Sequence, residues 1–164
     1  MRRPTRSYPA QGRPSFPHVG TRTLVVGAKA PVFEAQSTRG TICLTDFRGK
    51  KHVILVVYPG EYTPLCVTHM QAFQKELARF EELGAQVVGV SPDRLDVQYL
   101  LSTRENLHFP LIADVKGEVM GLYAYTRMTF IIDKSGVIRF MQKGVPDTRT
   151  LINEVATLNC LGRA

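Results

Sequence analysis

Cys66 is the residue of this chain best placed to do chemistry. It ends the run Tyr58-Pro59-Gly60-Glu61-Tyr62-Thr63-Pro64-Leu65-Cys66, in which a strand-like stretch gives way to a helix. Thr63 is a good N-cap, and Pro64 fits the first helical position, where its missing N–H costs nothing. Cys66 then falls at about the third helical position. A side chain there faces unpaired backbone N–H groups and the positive end of the helix dipole. Cysteines in such surroundings ionise more readily than a free thiol, and the thiolate is the nucleophile. Two other chemistries meet obstacles in the same residues. Dithiol–disulfide exchange uses Cys-x-x-Cys, but position 69 is His. Cys66 and His69 could both bind zinc, yet no second closely spaced Cys/His pair lies nearby, so neither a metal nor another cofactor is expected.

The octet from Pro59 to Cys66 spells P-x-x-x-T-x-x-C and resembles the active-site signature of the peroxiredoxins, the alkyl hydroperoxide reductase and thiol-specific antioxidant family. Two further segments carry the likeness. Leu44-Thr45-Asp46-Phe47-Arg48-Gly49-Lys50 is similar to the family's L-x-D-F-x-G-K approach, and Arg127-Met128-Thr129-Phe130-Ile131-Ile132-Asp133 to its R-x-T-F-I-I-D segment. The resemblance covers residues 27 to 158 and is closest to the Q-type or one-cysteine branches.

It implies a thioredoxin-like fold and a thiol peroxidase that reduces hydrogen peroxide and small organic hydroperoxides through a sulfenic acid at Cys66. Arg127 would hold the thiolate and donate to the peroxide. Thr63 would hydrogen-bond sulfur and peroxide, Pro59 would shield the sulfur from water, and free N–H groups of Leu65 and Cys66 would add donors. The implied partners are the peroxide and a thiol reductant (thioredoxin, glutaredoxin or a low-molecular-weight thiol), with the chain acting as a homodimer. Ionisation alone does not make a fast peroxidase. Lowering a thiol pKa by ~3 units from about 8.5 raises the thiolate fraction roughly 30-fold, but the accompanying loss of nucleophilicity nearly cancels the gain. The site must also stabilise charge on the departing oxygen.

The resolving step is open. In the Q-type, bacterioferritin-comigratory branch a second cysteine often follows five residues after the first, and Gln71 stands there. No V-C-P motif is found near the C-terminus. Cys160, expected just after the last helix, and Cys43, on a strand before the catalytic one, are the candidate resolving residues, although Cys43 also reads as an inert small hydrophobe. A one-cysteine cycle with an external thiol is the leading expectation. Many relatives carry Glu three residues after the cysteine, where this chain has His69. A disulfide oxidoreductase and a non-catalytic, chaperone-like scaffold stand as alternatives. A scaffold would not need Pro59, Thr63, Cys66 and Arg127 together.

The elements that must position these groups alternate strand and helix. Gly40–Leu44 reads as a strand or hairpin arm, Val53–Tyr58 as a buried strand, and Gln86–Val90 as another. Met70, Phe73, Leu77, Phe80 and Leu83 recur at helical spacing, predicting one helix from Pro64 to a C-cap at Gly84. A second helix follows over Leu95–Glu105, with Ser91-Pro92-Asp93 before it. His108–Ile112 predicts a strand that Pro110 pushes to a sheet edge or bulge. A short helix over Val115–Tyr123, a hairpin of Phe130–Asp133 and Val137–Gln142, and a closing helix Thr148–Leu158 complete an α/β fold with a central mixed β-sheet flanked by helices.

The 164 residues are enough for one domain with a normal core. The formal charge of +7 suggests nucleic acid only until it is located. Residues 1–30 hold six basic side chains and no acidic one, while the rest carries 15 basic and 14 acidic. Residues 1–23 therefore read as a basic, Pro-rich, disordered N-terminal extension, and 24–164 as the catalytic domain. Prolines at 4, 9, 14 and 17 argue against an amphipathic transit helix. Three cysteines without framework spacing point to a reducing compartment, the cytoplasm. No partner nucleic acid or membrane is expected.

Overall fold

The computed structural model describes residues 23–60 and 63–162, so the expected extension lies almost wholly outside the described residues. The strand His52–Val57 (β3) is buried at every position because it runs through mid-sheet. It pairs in parallel with Ala85–Ser91 (β4) and antiparallel with Met128–Ile132 (β6). Side chains alternate across a strand, and β3 feeds two cores accordingly. Ile54, Val56 and Tyr58 pack on one face with Cys66, Met70, Phe73, Phe80, Leu151 and Val155. Val53, Leu55 and Val57 pack on the other with Phe33, Leu44, Val119 and Tyr123.

The remaining strands are Glu34–Ser37 (β1), Gly40–Cys43 (β2), Leu111–Ala113 (β5) and Ile138–Lys143 (β7). The sheet order is β2-β1-β5-β4-β3-β6-β7, the expected mixed sheet flanked by helices. The helices are Pro64–Lys75 (α1), Leu77–Glu82 (α2), Leu95–Arg104 (α3), Glu118–Tyr123 (α4) and Thr148–Leu161 (α5).

Four sequence expectations are corrected. The helix expected to run unbroken to Gly84 divides at Glu76, whose φ of −98° and ψ of 8° leave the helical range. The break re-aims the chain so that α2 packs on β4, while Met70, Phe73, Leu77 and Phe80 stay in one core. The strand that Pro110 was expected to push to a sheet edge or a bulge, β5, is no edge strand but lies between β1 and β4. Pro110 sits just before it, where no N–H is required, and its carbonyl accepts from Gly89 N at 3.0 Å. The short helix α4 begins at Glu118 rather than Val115: Gly117 takes a φ of +69°, and the buried Asp114 carboxylate accepts from Val119 N and Met120 N. Finally, α5 continues to Leu161, so Cys160 lies within the helix and not after it. The sequence reading also missed β1, whose Glu-Ala-Gln-Ser carries little apolar signal.

Candidate active site

The sheet register builds the site. Val57 at the end of β3 pairs with Met128 at the start of β6, so Arg127, one residue earlier, stands across from Tyr58. Its backbone is fixed there, since the Arg127 carbonyl accepts from Gly144 N at 2.8 Å and the Thr129 hydroxyl donates to the Gly144 carbonyl at 2.9 Å. After Tyr58 the chain leaves the sheet through Pro59, which is exposed, and Gly60. Gly60 has a φ of +102°, and a Cβ there would stand 3.0 Å from Pro92 Cγ. Only glycine fits both demands without strain. Gly60 and Pro92 flank the way out of the strand, and neither was singled out from sequence.

The chain re-enters regular structure at Thr63, whose φ of −74° and ψ of 158° make it the N-cap of α1, with Pro64 at the first position. Its hydroxyl oxygen accepts from Cys66 N at 3.3 Å and its O–H reaches Cys66 Sγ at 3.4 Å. Arg127 Nη2 donates to the same sulfur at 2.8 Å. Cys66 is only 1% exposed, whereas its neighbour Leu65 is 53% exposed, so the sulfur lies just beneath the surface. The expectation of a free Cys66 N–H is corrected, because that donor is spent on the cap.

His69 lies one helical turn beyond Cys66, at the i+3 spacing that shares a face. Burial first, and then the Arg127 charge, hold its pKa below the usual 6.5. Its Nδ1 and Arg127 Nε are both buried without a hydrogen-bond partner among the described residues.

The other two thiols lie elsewhere. Cys43 is half-buried and its Sγ contacts Thr45 Oγ1 at 3.0 Å. It lies on the edge strand β2, and β1, β5 and β4 stand between that strand and β3, which leads to Cys66. Cys160 is exposed and lines a surface cleft of about 950 Å³ with His52, Gly84, Lys134 and Arg139. The adjacent Asn159 is tied by its Oδ1 to His52 Nε2 at 2.8 Å and by its Nδ2 to the Leu83 carbonyl at 2.8 Å. His52 begins β3 and Cys66 follows its far end, and six strand residues span roughly 17 Å. A disulfide needs Cα atoms within about 7 Å. Among the described residues no group of three His, Cys, Asp or Glu side chains could hold a metal, and no helix is long and apolar enough to cross a membrane.

A cysteine sulfur under an arginine, at the start of a helix that follows a central strand, can be compared with known proteins. The model of the AhpC/TSA family matches residues 26–141. The chain belongs to that family. A peroxiredoxin of Thermoplasma volcanium is 33% identical over 146 residues, covering 80% of this chain and 71% of the relative. One from Thermococcus kodakarensis is 34% identical over 132 residues, covering 71% of this chain and 61% of the relative. Among solved structures, the mitochondrial 2-Cys peroxiredoxin of Plasmodium falciparum superposes with a TM-score of 0.77 at 24% identity, covering 85% of this chain and 97% of that one. Peroxidoxin BcpB of Mycobacterium tuberculosis gives 0.73 at 23% identity, with 82% and 96% covered. Those structures bear on the fold, which is the thioredoxin-like fold of the peroxiredoxins.

Proposed function

We propose that Cys66 is the nucleophile of this thiol-dependent peroxidase, that Thr63 and Arg127 assist it, and that Pro59 shapes its loop. The observation that carries the assignment is the sulfur held at 2.8 Å by Arg127 Nη2 and at 3.4 Å by the Thr63 hydroxyl. Thiolate sulfur attacks one peroxide oxygen, the S–O bond forms as the O–O bond breaks, and the departing oxygen leaves with the electron pair and takes a proton. Sulfur loses two electrons and the peroxide gains them, giving an alcohol or water and Cys66 sulfenic acid. Guanidinium has five N–H donors, so Arg127 can keep sulfur while another N–H meets the developing oxyanion. That differential stabilisation is what speeds the step.

A thiol then attacks the sulfenic sulfur, expelling water and leaving a mixed disulfide, and a second thiol releases Cys66. The two remote cysteines favour an external reductant: thioredoxin, glutaredoxin or a low-molecular-weight thiol. Hydrogen peroxide and small organic hydroperoxides suit a sulfur lying just beneath the surface. The protein is read as a cytoplasmic homodimer that works by a one-cysteine cycle. Disulfide oxidoreductase chemistry is not favoured, since His69 stands where the second thiol would be. A non-catalytic scaffold is not favoured either, since it gains nothing from a cation held on a thiol. Replacing Cys66 with Ser should abolish peroxide consumption driven by a thiol reductant. Undiminished turnover in that variant would refute the assignment.

A further inference from the structure

We propose that His69 is the positioning residue for Arg127: its neutral ring accepts the guanidinium Nε–H at Nδ1, directly or through one buried water, and so holds Nη2 on the Cys66 sulfur. The inference rests on the peroxidase reading of the same site and adds to it a residue that the mechanism above does not use.

Three observations carry it. Arg127 Nε is buried with no acceptor among the described residues, and a buried cationic donor left unmet is costly. His69 Nδ1 is buried and equally unmet. The two groups also share a neighbour. Arg127 is bonded to Cys66 Sγ at 2.8 Å, and His69 sits one turn along α1 from Cys66 on the face that Cys66 occupies. Native interiors pair nearly all buried polar atoms, with protein or with ordered water. One unmet nitrogen acceptor and one unmet N–H, on residues that share Cys66 as a neighbour, are the pairing these residues offer.

Charge decides which form of His69 can serve. Neutral imidazole with its proton on Nε2 presents a lone pair at Nδ1. The imidazolium is a donor at both nitrogens, so it cannot accept from Arg127, and it repels the guanidinium. Burial and the nearby Arg127 charge both favour the neutral ring. The consequence is geometric. A guanidinium fixed only through Nη2 can swing about that contact, and one fixed also at Nε cannot. Small misplacements of a group that must meet a transition state cost rate steeply.

The test has two readouts on the full chain. Nitrogen-15 chemical shifts of His69 in the reduced protein near neutral pH report the tautomer, and the proposal requires Nε2–H with a bare Nδ1. Rapid mixing with hydrogen peroxide then reports the rate of Cys66 oxidation. His69→Ala should slow that step by about tenfold or more. His69→Gln, whose amide oxygen can accept in place of Nδ1, should recover most of the rate. An Nδ1–H tautomer, or a His69→Ala rate within about twofold of wild type, overturns the proposal. The tautomer is read without peroxide or turnover, so failure here is separable from failure of the peroxidase reading. That failure would appear as wild-type Cys66 left intact by peroxide.

Discussion

Two side chains meet at the Cys66 sulfur, and each has a different share of the work. Thr63 is first a helix cap, its oxygen taking up the Cys66 N–H, and only then a donor to Sγ. Arg127 has no such second duty. Its Nη2 contact at 2.8 Å is the shortest approach to the sulfur, and its charge is available to a leaving oxyanion. Arg127→Ala should therefore cut the rate of Cys66 oxidation roughly 100-fold, the usual loss when an oriented oxyanion donor is removed. Single-turnover rapid mixing would measure it. A loss under about threefold would assign the electrostatic work to the helix terminus instead. At this scale the sequence was highly legible. Thr63, Cys66 and Arg127 come together as their motifs implied, because N-cap chemistry and the R-x-T-F-I-I-D register are local and rigid. The spent Cys66 N–H follows from the same local capping by Thr63, whereas the orphaned Arg127 Nε was not legible, since a side chain's partners depend on tertiary packing.

The elements deliver Arg127 through the β6–β7 ladder, so the turn joining those strands matters to the site beyond its own residues. Asp133 governs that turn. One carboxylate oxygen accepts from Ser135 N, Ser135 Oγ and Val137 N at 2.6–3.0 Å, and the other from Arg139 Nε at 2.7 Å. Burial opposes ionisation, but the bonds from Ser135, Arg139 and Val137 outweigh it and hold the pKa below the ordinary 3.8. A carboxylate with a lowered folded pKa contributes stability that is fully present above its unfolded pKa and lost as pH falls through the folded one. Asp133→Asn should lower stability at neutral pH by about 2 kcal/mol and flatten the loss of stability below about pH 4. Urea titrations at several pH values would show both, and parallel acid limbs in the two proteins would contradict the account. The hairpin around Lys134-Ser135-Gly136 was readable from its turn residues. The break at Glu76 and the interior place of β5 were not. Helical periodicity continues across the break, since Met70, Phe73, Leu77 and Phe80 all remain buried, and Pro110 marks a strand start and not an edge.

For the whole molecule the telling fact is where the three thiols stand. Cys66 sits beyond the C-terminal end of β3, Cys160 at the end where β3 begins, and Cys43 on the edge strand β2, with three strands between it and β3 in the sheet order. Sequence order alone could not separate them, because α5 runs past the point where it was expected to stop. One equivalent of hydrogen peroxide should therefore leave no disulfide within a subunit, and non-reducing mass spectrometry of the separated chains would reveal a loss of two hydrogens if one formed. The central claim is that Cys66 is the thiol that peroxide oxidises, and one measurement reaches it most directly: adding one equivalent of hydrogen peroxide to fully reduced protein, trapping sulfenic acid with dimedone, and mapping the adduct by peptide mass. The account predicts rapid, near-stoichiometric labelling of Cys66, with Cys43 and Cys160 unlabelled. Labelling at either of those two with Cys66 intact would contradict it.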